Sequence, residues 1–212
     1  MGGDRMGELT VDSVLCVLDA DGCVFYCLVY MVMKLTRGRS GYFNSALTLS
    51  LCLVDLYLDR GHAVSVHVGR ALAHIIVQIL GSLLGAVLIV LLVPFALDGV
   101  EKTGVGGPAL SGMTWVGCFL LDYMFSAFLV FMLLSVRNNE NKKSSMLLLF
   151  CMLVARMILF PLTGSTLNPA RAIAHGIIGQ GFSYLWIFVI APVCGATTAT
   201  AGFIWMHRQD ME

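Results

Sequence analysis

FNSALTLSLCL, residues 43–53, and LNPARAIAHGI, residues 167–177, are the two stretches on which the fold turns. Each runs through an apolar residue, Asn, Ser or Pro, and Ala into an apolar stretch, so the chain carries one short constellation twice. The segments they open, 44–55 and 168–178, are too short to cross a bilayer. A helix rises 1.5 Å per residue and needs about 20 apolar residues to span the ~30 Å hydrocarbon layer, so each reaches about halfway. One such run alone reads as an interfacial or loop helix. Two copies, each following a full span, read as re-entrant half-helices.

The rest of the chain supplies the spans. Of 212 residues, 58% are hydrophobic and only 12% charged, and the mean hydropathy is +0.86. A soluble chain of this size carries roughly twice that charged fraction to keep its surface wetted. Five apolar runs are long enough to cross: about 17–36, 70–93, 113–136, 145–162 and 183–206. The first is the weakest, because Asp19 and Asp21 sit in its opening turn and require that end to lie at the headgroups. The fold class expected is all-α integral membrane: an inverted-repeat bundle of five full spans and two half-helices in one domain, 1–212. Its first repeat covers about 13–93 and its second about 113–206.

Composition excludes several alternatives. Thirteen basic and thirteen acidic residues cancel, so no basic field is available for nucleic acid. The seven cysteines are an odd number without CxxC spacing and fall mostly in apolar runs, where they read as small core residues and not as a disulfide frame or metal site. MGGDRMGELTVDS at the start is acidic and lacks the regions of a signal peptide, so no cleavage is expected. His74 and His175 are isolated on apolar segments and read as core or interface residues; no metal and no cofactor is expected. Gly81 and Gly85 form a GxxxG pair, which reads as close helix packing.

Lys and Arg gather on the cytoplasmic side of short loops. Lys34, Arg37, Arg39, Arg60 and Arg70 flank one loop, Arg137, Lys142 and Lys143 another, and Arg208 follows the last span. With the N-terminus outside and the C-terminus cytoplasmic, five spans satisfy every loop. On this map the two Asn motifs enter from opposite faces, a pattern that points to a pore or substrate site at the midplane. Opposed half-helices aim their positive N-terminal ends, with the Asn44 and Asn168 amides, at its centre. Cations are repelled there. A water accepting hydrogen bonds from both Asn NH2 groups cannot at that moment act as an acceptor in a proton wire.

LTGSTLNPARAI (162–173) resembles the second signature loop of the aquaporins, and GYFNSALTL (41–49) a degenerate form of the first. VQILGSLLGAVL (77–88) is similar to the family's third helix, FLLDYMFSAFLVF (119–131) to its fourth and IFVIAPVCGA (187–196) to its sixth. The resemblance implies a passive pore for water or small neutral solutes such as glycerol, a lipid bilayer as environment and a homotetramer. It assigns Asn44, Ser45, Ala46, Asn168, Pro169 and Ala170 to the two pore motifs, and Val24, Arg156, Ser165 and Arg171 to the selectivity filter. Asp122, where Glu is usual, is implied to brace the second loop.

The departures from the family are as specific as the matches. The helix equivalent to the family's first is not found, and with it the carboxylate that would brace loop 37–45. Ser45 replaces the expected Pro, losing a fixed φ at the first helical position, although Ser caps helices well. Arg156 stands where water-selective members carry His and glycerol-conducting ones Gly. A charge in a helix centre costs at least ~2.5 kcal/mol unless it meets polar groups, so it faces the pore or a carboxylate, or it snorkels outward or pairs with Asp19 or Asp21.

Three function classes follow. The first is a facilitative channel, with FPLTG (160–164) glyceroporin-like and Ala172 against that assignment, so that water is favoured only slightly. The second is a non-conducting structural or regulatory subunit, to which the missing helix, Ser45 and Arg156 all point. The third is an intramembrane Ser–His protease, because GRSG (38–41) matches a known GxSG motif and His175 is available. The charge map opposes this last reading by putting Ser40 near the cytoplasmic face and His175 on a segment entering from outside.

Overall fold

The computed structural model describes residues 43–59, 63–96, 113–137, 142–164, 167–179 and 182–208. The chain separates into two units, Met1–Gly41 and Tyr42–Glu212, and every described residue belongs to the second. The expected span at 17–36, with Val24, lies outside the described residues, as do Ser40 and Ser165.

All regular structure among the described residues is helical: α1 (Ser45–Leu58), α2 (Val64–Ala96), α3 (Trp115–Arg137), α4 (Lys142–Thr163), α5 (Pro169–Gly179) and α6 (Leu185–Met206). The four long helices overlap the four expected spans, and α1 and α5 begin one residue after Asn44 and Asn168. Stretches within α2, α3 and α6 are long and apolar enough to cross a membrane. At 1.5 Å per residue α1 is about 21 Å long and α5 about 16 Å, so neither crosses alone and the two end to end do. The 33 residues of α2 reach about 50 Å, enough to cross with tilt and project beyond the hydrocarbon.

The distribution of polarity is inverted relative to a soluble protein. Leu72, Ile76, Leu80, Leu84 and Leu88 stand exposed at four-residue spacing along α2, and Phe150, Val154, Ile158 and Leu162 along α4. Asn44, Ser50, Asp122, Arg156, Thr163, Asn168 and His175 are buried. An apolar exterior, with the polar groups withdrawn among the apolar ones inside, is the arrangement a lipid solvent selects.

Tight backbone approach sets the packing, since lipid tails remove most hydrophobic drive between helices. The most extensive contact is α3 against α6. It centres on Gly195, where a Cβ would come under 3.0 Å from the Tyr123 carbonyl oxygen and within 3.1 Å of the Ala127 nitrogen. Val130, Leu133 and Leu134 of α3 then pack with Ala196 and Phe203 of α6 and with Ala46, Leu47 and Val54 of α1 in one buried cluster. By contrast, nothing lies within 4 Å of a Cβ built at Gly81 or Gly85. The close helix packing expected of GxxxG is therefore not made there among the described residues; the repeat falls on a largely exposed helix. His74 is likewise exposed on α2, so of the two readings, core or interface, it is not a core residue, whereas His175 is buried on α5.

Hydroxyls on these helices turn back on their own backbone. Thr197, Thr198 and Thr200 each donate to a carbonyl four residues earlier on α6, as Ser135 does on α3 and Thr163 on α4. Where no water is at hand, this is the nearest way to satisfy a polar group.

Candidate functional site: two half-helices joined at their N-termini

Asn44 has extended backbone dihedrals, φ −135° and ψ 119°, and its side-chain oxygen accepts from the Ala46 N–H at 2.9 Å. It is the N-cap of α1, and Ser45 is the first helical residue. The expectation that Ser45 would cap is thereby corrected: a cap needs non-helical dihedrals, and those belong to Asn44. The second copy repeats the geometry, with Asn168 Oδ1 accepting from the Ala170 N–H at 3.2 Å. The first helical bonds also correspond: Thr48 N–H to the Asn44 carbonyl at 3.0 Å and Ala172 N–H to the Asn168 carbonyl at 2.9 Å. Pro169 occupies the first helical position of α5, where its fixed φ suits the turn and a missing N–H costs nothing.

The caps then cross. Asn44 Nδ2 donates to the Leu167 carbonyl at 2.8 Å, and Asn168 Nδ2 donates to the Phe43 carbonyl. Each Asn is thus bound to the carbonyl of the residue preceding the other. Leu167 reaches this position with φ +52°, a left-handed conformation unusual for a residue with a side chain and of the kind that clusters at functional sites. Two further bonds close the junction: the Ala170 N–H donates to Ser45 Oγ at 3.1 Å, and the Ser45 N–H to Asn168 Oδ1 at 3.4 Å.

Neighbouring helices hold α1 in place. Gln78 of α2 donates to Thr48 Oγ1 at 2.9 Å, and Thr48 Oγ1 donates in turn to the Asn44 carbonyl at 3.0 Å. Ser50 donates to the Ala46 carbonyl at 3.1 Å and approaches the Ala196 carbonyl of α6 at 3.5 Å. Sequence reasoning missed Gln78, Thr48 and Ser50. The available signal was Gln78, a lone amide inside a long apolar run, where a polar group is functional or structural by default.

The junction is electropositive by construction, because both helix dipoles point their positive ends at it. Arg171 sits in the first turn of α5, half-buried, where a cation is opposed by the dipole, so local helix preference does not explain it. Arg156 lies in the second half of α4 and is only 7% exposed, with Ala155 and Leu159 beside it in the buried cluster that includes Leu167. That burial disfavours the outward-snorkelling alternative. Asp122 is fully buried on α3, one turn from Cys118, which shares a buried cluster with Ala172 of α5.

Apposed half-helices inside a bundle with an apolar exterior define the class: an inverted-repeat, multi-pass membrane protein. The model of the Major intrinsic protein family matches residues 8–205, and the chain belongs to that family. It is 27% identical to a probable aquaporin-5 of Gibberella zeae over 97% of its length and 25% identical to aquaporin-4 of Mus musculus over 99%. Over 80% of its length it is 29% identical to the lens fiber major intrinsic protein of Gallus gallus. The chain spans 35%, 61% and 62% of those three relatives.

Proposed function

We propose that the protein is a passive transmembrane pore for water, with small neutral solutes such as glycerol as further permeants, and that Asn44 and Asn168 are its central donors. The observation that carries this is the reciprocal cross-bond. An amide NH2 has two hydrogens. Each Asn gives one to the carbonyl before the other Asn, which fixes the amide and leaves its second N–H for a permeating molecule. The opposed dipoles and Arg171 then disfavour cations, and a water held by both amides breaks a proton wire. Ser45, Ala46, Pro169 and Ala170 shape the two motifs, Val24, Arg156, Ser165 and Arg171 form the filter, and Asp122 braces the second loop. The likeness to aquaporins supports this reading, and with it a homotetramer, while the Lys and Arg of the loops and Arg208 after the last span support a cytoplasmic C-terminus.

Osmotic swelling of proteoliposomes tests it. Water permeability should exceed that of bare lipid and fall to the lipid value in Asn168→Asp, which replaces the donor to Phe43 with a carboxylate. A second reading, a non-conducting structural or regulatory subunit, is favoured by one observation: Arg156 is a bulky guanidinium withdrawn into the protein on α4. Folded protein that passes no water above bare lipid would establish that reading instead.

A further inference from the structure

We propose that Ser45 is a positioning residue that clasps the two half-helices together through its hydroxyl, in a way the proline expected at this position could not. The proposal rests on the channel reading only for its effect on flux; the clasp itself is a matter of geometry. Ser45 is the first residue of α1, 6% exposed, and its Oγ accepts from the Ala170 N–H of α5 at 3.1 Å. That N–H is one of the first-turn donors of α5 that no intrahelical carbonyl can satisfy. It is shared between Asn168 Oδ1, 3.2 Å away on its own side, and Ser45 Oγ, 125 residues distant in sequence. In the other direction the Ser45 N–H points at Asn168 Oδ1 at 3.4 Å. Proline has neither hydroxyl nor N–H, so it could supply neither bond and would join the half-helices by contact alone.

The arrangement is one-sided. Position 169, which corresponds to Ser45 in the second copy, is Pro, and no side chain there reaches for α1. Ser45 therefore does from one side what a pair of prolines would do by packing from both. Its consequence falls on Asn168, whose oxygen accepts from the same N–H that Ser45 binds: holding Ala170 holds the cap, and holding the cap orients the Asn168 NH2.

The test compares wild type with Ser45→Ala and Ser45→Thr by hydrogen–deuterium exchange of the amides of Ala170 and Arg171, in protein reconstituted into phosphatidylcholine nanodiscs, and by water flux in vesicles of the same lipid. Loss of one hydrogen bond predicts a threefold to roughly tenfold loss of protection in S45A, with S45T restoring it. Water permeability per protein should fall in S45A and recover in S45T, since Thr keeps the acceptor. Should S45A not accumulate, Ser45→Cys, close in size but a poor acceptor, takes its place. Equal exchange in wild type and S45A, S45T exchanging as fast as S45A, or, with a wild type that conducts water, unchanged permeability in S45A overturns the clasp. Wild-type vesicles that pass no water would end the channel reading and leave the exchange comparison intact.

Discussion

Two glycine positions separate what a motif promises from what packing uses. At Gly195 an added methyl meets the Tyr123 backbone, which has no flexible end to swing away, so Gly195→Ala should lower stability by about 2 kcal/mol or more, read as loss of thermal stability in detergent. Gly81→Ala meets nothing within 4 Å and should be neutral, or stabilising by up to about 1 kcal/mol through helix propensity. Sequence inspection picked Gly81 and Gly85 because spacing is visible in a string. It missed Gly195 because a close approach depends on which helix arrives opposite. Arg156 makes a functional counterpart. If its guanidinium narrows the filter, Arg156→Gly should raise glycerol uptake in vesicles several-fold, and unchanged uptake would remove Arg156 from the filter. Its residue type made it conspicuous in the sequence, whereas its burial came from the way α4 turns inward.

At the scale of elements, the two half-helices were legible to within a few residues, because each is announced by Asn and ends well short of a membrane's width. What the string withheld was how they are held. The brace from Gln78 through Thr48 to the Asn44 carbonyl joins α2 to α1 across thirty residues, and nothing in the string pairs the one with the other. Gln78→Leu should cost about 1 kcal/mol of stability and loosen α1 selectively, seen as faster amide exchange at 45–50 than in α6. The cap exchange between Asn44 and Ser45 has the same origin. Both residue types cap helices well, and only the backbone dihedrals decide which of two neighbours does so.

Across the whole molecule, tryptophans mark where the bilayer should begin and end. Trp115 and Trp186 lie together, ring centroids 6.1 Å apart, at one end of α3 and α6, and Trp205 stands 78% exposed near the far end of α6. Trp186 and Trp205 are nineteen residues apart, about 28 Å along a helix, which matches the hydrocarbon thickness. Single-tryptophan variants quenched by brominated lipids should place Trp115 and Trp186 at one headgroup level and Trp205 at the other; quenching of Trp205 at the bilayer centre would contradict the assigned ends. The class of fold was legible because membrane thickness imposes lengths on a sequence. The junction's contacts were not, because they join residues 123 positions apart. That separation bears on biogenesis. A nascent chain halted before residue 167 has made α1 but nothing for Asn44 to close on, so α1 must wait at the membrane surface, or in the insertion machinery, until the second copy emerges.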